Sequence, residues 1–192
     1  MNKNMTPIIL IIVLVLGCKK ELKENETAWN PYSKNEVIVF ESSAKELDTI
    51  AINEIVDNAI SSSPAPELYR HTSLIVYGRR LKLKDSKFSK NSILEITSST
   101  PDKPAKVTFP LNFDNANFAG WGFKIEDLEK YPKISITTKA GIFNDVIKIE
   151  SVMYRPERED EVQFMYWSEK NGYIKFERAD GFTWELIKKY VP

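Results

Sequence analysis

Residues 161–186, EVQFMYWSEKNGYIKFERADGFTWEL, decide the fold. Aromatic and branched side chains alternate with polar ones, the period-two pattern of half-buried strands. Two turn dipeptides, Asn171-Gly172 and Asp180-Gly181, interrupt it. An Asn-Gly pair suits a type I′ hairpin turn, whose two central residues both need positive φ. That predicts strands over 161–168 and 173–178 with Trp167 opposite Phe176. The second turn admits two registers. A loop of Asp180-Gly181 alone sets Trp184 against Glu177 and Leu186 against Lys175. A loop of Ala179-Asp180-Gly181, with Gly181 in the left-handed position, sets Phe176 against Trp184, Ile174 against Leu186 and Lys175 against Glu185. A one-residue slip turns every side chain over, so the second register is expected. One face of the meander then carries Met165, Trp167, Ile174, Phe176, Trp184 and Leu186.

Upstream, strands are predicted at Glu36 to Glu41, Ser73 to Tyr77, Arg80 to Lys84, Ser92 to Ser98, Ala105 to Phe109, Lys133 to Thr138 and Phe143 to Tyr154. Loops rich in Pro, Asp, Asn and Ser separate them. One helix is predicted from Lys45 to Ile60. Ser43 and Glu46 have the spacing of a capping box, and Leu47, Ile50, Ala51, Ile55, Val56, Ala59 and Ile60 recur at helical intervals. The prolines of SSSPAP, residues 61–66, end it. A shorter helical turn is expected within Ile125 to Tyr131, and Gly120-Trp121-Gly122 reads as a tight bend that anchors its ring. The expected fold is mostly β (α+β). It is one curled antiparallel sheet, a half-barrel or sandwich, with one main helix on its concave face. Residues 36–192 form a single domain.

The chain begins MNKNMTPIILIIVLVLGC. Lys3 precedes a nine-residue apolar run, Ile8 to Leu16, far short of the roughly 20 residues that cross a bilayer. Such a run is the core of a signal peptide. Val15-Leu16-Gly17-Cys18 resembles the lipobox of bacterial lipoproteins. The resemblance implies lipid on the Cys18 thiol, cleavage after Gly17 (residues 1–17 being the signal) and attachment to the cell envelope, at the outer membrane on its periplasmic face or at the cell surface. Cys18 is the only cysteine of the 192 residues, so no disulfide supports the fold. Residues 18–35, lipidated cysteine and polar chain, read as a flexible tether, whose sixteen residues 19–34 reach at most ~55 Å.

Lys139-Ala140-Gly141-Ile142-Phe143-Asn144-Asp145, Lys148-Ile149, Tyr166-Trp167-Ser168, Gly172 and Trp184-Glu185-Leu186 together resemble the C-terminal module of many bacterial lipoproteins of uncharacterised function. That module is associated with half-barrels similar to lipoprotein-carrier proteins. Val146 stands where the family often has cysteine. The likeness spans residues 107 to 188 and implies fold, with no functional residues carried over.

Lys+Arg and Asp+Glu balance at 27 each, so no global field attracts nucleic acid. With His71 the single histidine, a metal site of two or three histidines and the HExxH motif are excluded. A Ser-His-Asp triad would have to use His71, which has no nucleophile elbow near it. Gly78 stands alone and cradles no phosphate. Glu157, Glu159, Asp160 and Glu161 could supply the paired carboxylates of a glycosidase, and read more simply as a solvated acidic loop. Arg80, Lys82 and Lys84 share one strand face. They are candidate contacts to anionic head groups, or an outward sheet face that discourages edge pairing. Trp121 is a candidate stacking residue. The sequence therefore points to a lipid-anchored envelope protein with a non-enzymatic binding role toward an apolar ligand or an envelope partner, with no cofactor and no metal. An envelope hydrolase using carboxylates or a Ser/Lys pair is the alternative, and a structural or surface-exposed interaction protein a third.

Overall fold

The computed structural model describes residues 21–60, 72–81 and 91–192. A four-residue helix α1 (Glu24–Thr27) precedes β1 (Val37–Ser42), β2 (Leu47–Ile60), β3 (Thr72–Arg80), β4 (Asn91–Thr97), β5 (Lys106–Phe109) and β6 (Gly120–Lys124). A second short helix, α2 (Ile125–Leu128), leads to β7 (Ile134–Thr138), β8 (Gly141–Glu150), β9 (Val162–Ser168), β10 (Gly172–Arg178) and β11 (Thr183–Tyr190). All the strands join one antiparallel sheet in the order β6-β5-β4-β3-β2-β1-β11-β10-β9-β8-β7, curled into a half-barrel.

The curl brings distant strands face to face. Phe109 on β5 lies 4.8 Å, centroid to centroid, from Trp167 on β9. The Tyr173 hydroxyl on β10 donates to the Ile93 carbonyl on β4 at 2.6 Å. The segment between β5 and β6 fills what remains of the hollow. Phe113 stacks on Trp184 at 4.4 Å and meets Phe176 at 5.1 Å and Phe40 at 5.3 Å. Beyond it, Asn117 bridges in parallel to Glu161 at the start of β9, so the concave side is packed with rings.

The meander is as expected at its second turn. Phe176 pairs with Trp184 and Lys175 with Glu185, and Gly181 has φ of 84°. The first turn differs. Gly172 pairs with Ser168 and Trp167 with Tyr173, while Phe176 faces Met165. The loop is Glu169-Lys170-Asn171, and only Gly172 adopts positive φ there, at 86°. A type I′ turn needs positive φ at Asn171 as well; instead the Ser168 hydroxyl accepts the Asn171 N–H at 3.0 Å. A bulge between Tyr173 and Lys175 restores the inward set, so Met165, Trp167, Ile174, Phe176, Trp184 and Leu186 are all buried, with Tyr173 added.

The helix expected from Lys45 to Ile60 is strand β2, and no main helix exists among the described residues. Ser43 and Glu46 do not cap. They belong to the β1–β2 turn, where Lys45 takes φ of 68° and Glu46 N–H donates to Ser42 Oγ at 3.1 Å. Thr49, Ile50, Ile52, Ile55 and Val56 are β-branched and favour a pleated surface over a helix. Ile50 and Ile52 point inward at 1% exposure, whereas Leu47 is 43% exposed. The strand expected at Ser73 to Tyr77 runs on through Gly78, where a Cβ would come 2.6 Å from Ile50 Cγ2, and ends at Arg80; residues 82–84 of the next expected strand lie outside the described residues. β8 ends at Glu150, short of the predicted Tyr154.

The tether is also revised from residue 21 onward. Trp29 and Tyr32 are buried in the core cluster, and Leu22 packs against it. Glu26, 3% exposed, accepts Ser99 Oγ–H at 2.6 Å, Ser99 N–H at 3.2 Å and Lys23 N–H at 3.0 Å. Tyr32 Oη accepts the Tyr173 N–H at 3.0 Å. Lys189 on β11 donates to the Pro31 carbonyl at 3.0 Å and lies 3.4 Å from Glu36. Burial pushes its ammonium below the usual lysine range, and Glu36 opposes that. Two aromatic rings in eleven residues are enough to convert a polar leader into a docked plug.

Candidate functional site

The most structured surface cleft lies at the rim of the half-barrel around Arg80, the last residue of β3. Arg80 pairs with Ile50 in register, so its side chain follows that buried residue to the concave side. There its Nε lies 3.1 Å from Asp48 Oδ2 and its Nη1 3.2 Å from Asp114 Oδ1, at 19% side-chain exposure. The guanidinium carbon sits 5.8 Å from the Phe113 ring centre.

Arg80 divides two clefts. One, of ≈540 Å³, is bounded by Tyr77, Gly78, Asn91, Ser92, Leu111 and Asn112. The other, of ≈320 Å³, is bounded by Glu46, Leu47, Asp48, Asp114, Asn115 and Trp184. Asn115 ties the second together. Its Oδ1 accepts Trp184 Nε1–H at 2.9 Å, its Nδ2 donates to Glu46 Oε2 at 3.1 Å, and its carbonyl accepts from Arg178 Nη1 at 3.0 Å. Two arginines, one amide and one indole therefore fix the plugging segment against the rim. Arg80, Arg178 and Trp184 sit on strands, and they hold Asp114 and Asn115 of the plugging segment in place, which suits a preorganised binding surface.

Of the two candidate contact residues that the structure describes, Arg80 and Trp121, Arg80 reaches this rim, paired with Asp48 on the concave side. For Arg80 alone the outward reading is corrected, because Asp48 holds its side chain on the concave side. Lys82 and Lys84 lie outside the described residues, as do Cys18 and His71. Trp121 is 73% exposed on β6, an edge strand of the sheet, and lines neither cleft. Gly120-Trp121-Gly122 runs within the strand and does not anchor the ring. The acidic loop is clasped and not merely solvated. Arg155 donates to Glu161, itself 3% exposed, at 2.6 and 3.0 Å. Arg158 and Asn117 hold Asp160, and the Arg158 hydrogen bonds keep its carboxyl below the usual aspartate range. These carboxylates buttress the Asn117–Glu161 bridge.

Asp48, Asp114 and Asn115 carry the rim and were not singled out. The cluster Asn112-Phe113-Asp114-Asn115-Ala116-Asn117 was their only signal, and such clusters usually mark turns. Among the described residues, no group of three or more His, Cys, Asp or Glu is placed to hold a metal ion, and no helix is long and apolar enough to cross a membrane. Comparison with protein-family models, curated proteins and solved structures finds no match. The fold and rim define a class, a half-barrel with a filled hollow and a polar, arginine-centred edge.

Proposed function

We propose that the protein is a lipoprotein of the cell envelope, held by lipid on Cys18 at the outer membrane, and that it acts by binding and not by catalysis. Its ligand is a polar group or an envelope protein that engages the rim around Arg80. The observation carrying this reading is the filled hollow. Rings from β5, β9, β10 and the plugging segment approach within 4.8 to 6.0 Å of one another, and packing of that density disfavours an acyl chain between them among the described residues. The surface clefts beside Arg80 are of mixed lining, with Ile50, Ile93 and Leu111 in one and Leu47 and Trp184 in the other set among charged and amide groups. A guanidinium offers donors and no acceptor, so Arg80 can orient an acceptor group.

Two measurements test the reading. Metabolic labelling with a fatty-acid probe is expected to mark the wild type and not Cys18→Ser, because a hydroxyl cannot replace the nucleophilic thiolate. Label on the serine variant, or none on the wild type, removes the anchor. Titration of the soluble form, residues 19–192, with a fluorescent fatty acid is expected to show no saturable binding. Saturable uptake would restore a carrier role for the hollow, and turnover of an ester or glycan would promote the hydrolase alternative.

A further inference from the structure

We infer that the end of the half-barrel carrying α1 and the β4–β5 loop lies against the bilayer, and that the Arg80 rim faces away from it. The inference rests on the lipid anchor proposed for Cys18 and on the docking of residues 22–32. Leu22 already packs on the core, so only three residues, 19–21, separate the lipidated cysteine from the folded body. Fully extended, the chain from Cys18 to Leu22 reaches ~14 Å. A tether running to residue 35 would have let the domain tumble, whereas a leash this short does not.

The direction follows from the strand register. Glu26 of α1 holds Ser99 of the β4–β5 loop through both its amide and its hydroxyl. Ser98 N–H in turn donates to the Thr72 carbonyl at 2.8 Å, at the first residue of β3. Arg80 is the last residue of that strand. Eight residues at ~3.3 Å per residue separate the two ends by ~26 Å. The anchor thus enters at one end of β3 and the polar rim opens at the other. The membrane partner is the bilayer holding the anchor, and a ligand of the rim arrives from the aqueous side.

Lipidation consumes the single thiol, so an introduced cysteine can be labelled alone. Lys103→Cys places a fluorophore on the exposed β4–β5 loop, and Ala179→Cys places one on the exposed β10–β11 turn beside the rim. Each variant is purified from membranes in acylated form and reconstituted in phosphatidylcholine vesicles containing a phospholipid with a nitroxide on its head group. Most of the fluorescence at position 103 is expected to be lost, and little at position 179. Inserting fifteen Gly/Ser residues between Lys20 and Glu21 adds a coil of ~20 Å and is expected to equalise the two. Equal quenching in the original acylated chain, stronger quenching at 179, or a difference that survives the insertion overturns the inference while leaving the lipoprotein standing. Absence of acylation removes both.

Discussion

Trp184→Ala is expected to lower the unfolding free energy by ~3–5 kcal/mol, the range for large aromatic truncations in a core. The indole is 5% exposed. It stacks on Phe113 with centroids 4.4 Å apart and planes 6° from parallel. Removing it opens a cavity that Phe113 cannot close, because Phe40 and Phe176 hold that ring edge-on from two other strands. It also strips the Asn115 side-chain oxygen of its donor. Trp184→Phe keeps a ring on the stack and loses mainly the N–H, so its cost is expected near ~1 kcal/mol, the net worth of a hydrogen bond. Denaturant titration followed by far-ultraviolet circular dichroism measures both. A cost for the alanine variant within ~0.5 kcal/mol, usual for exposed positions, would reverse the face assigned to β11.

That face is legible in the sequence because burial on one side makes register nearly binary. The Ala179-Asp180-Gly181 loop was chosen because the alternative set Trp184 against Glu177, and the observed pairing agrees. The Asn171-Gly172 turn was not legible at the same level. Asn-Gly serves two-residue loops and also the end of a three-residue loop, and the choice is made by Ser168 Oγ, which holds the Asn171 amide. The helix failed for a different reason. Ile50, Ala51, Ile55 and Ala59 fit a helical period, while Ile50 and Ile52 fit a strand. Both patterns coexist over 14 residues, and the β-branched content together with two neighbouring strands settles it. At the rim, Arg80 looked like one member of a basic stripe. Its inward turn depends on Asp48 and Asp114, two carboxylates that are 66 residues apart in the chain, and no local pattern reports such a meeting.

The N-terminal segment carries the second large effect. Trp29→Ala is expected to cost ~3–5 kcal/mol, although residue 29 sits in a stretch whose composition reads as unstructured. Its side chain is 3% exposed, and its neighbour in the plug, Tyr32, meets Trp167 edge-on at 6.2 Å. Tyr32→Phe keeps that edge contact and removes only the oxygen that accepts the Tyr173 N–H, leaving a buried donor unpaired at a cost of ~1–3 kcal/mol. Hydrogen exchange at the Tyr173 amide should therefore accelerate in Tyr32→Phe. In the alanine variant, the way the loss appears distinguishes two modes of docking. A lower denaturation midpoint with an unchanged slope means the plug melts with the barrel as one cooperative unit. An unchanged midpoint with proteolysis opening near residues 21–32 means the plug undocks alone, and the leash to Cys18 then lengthens from three residues to more than a dozen. In that second case Trp29→Ala also equalises the quenching at positions 103 and 179. The same ring would then set the orientation of the domain on its membrane without setting its global stability.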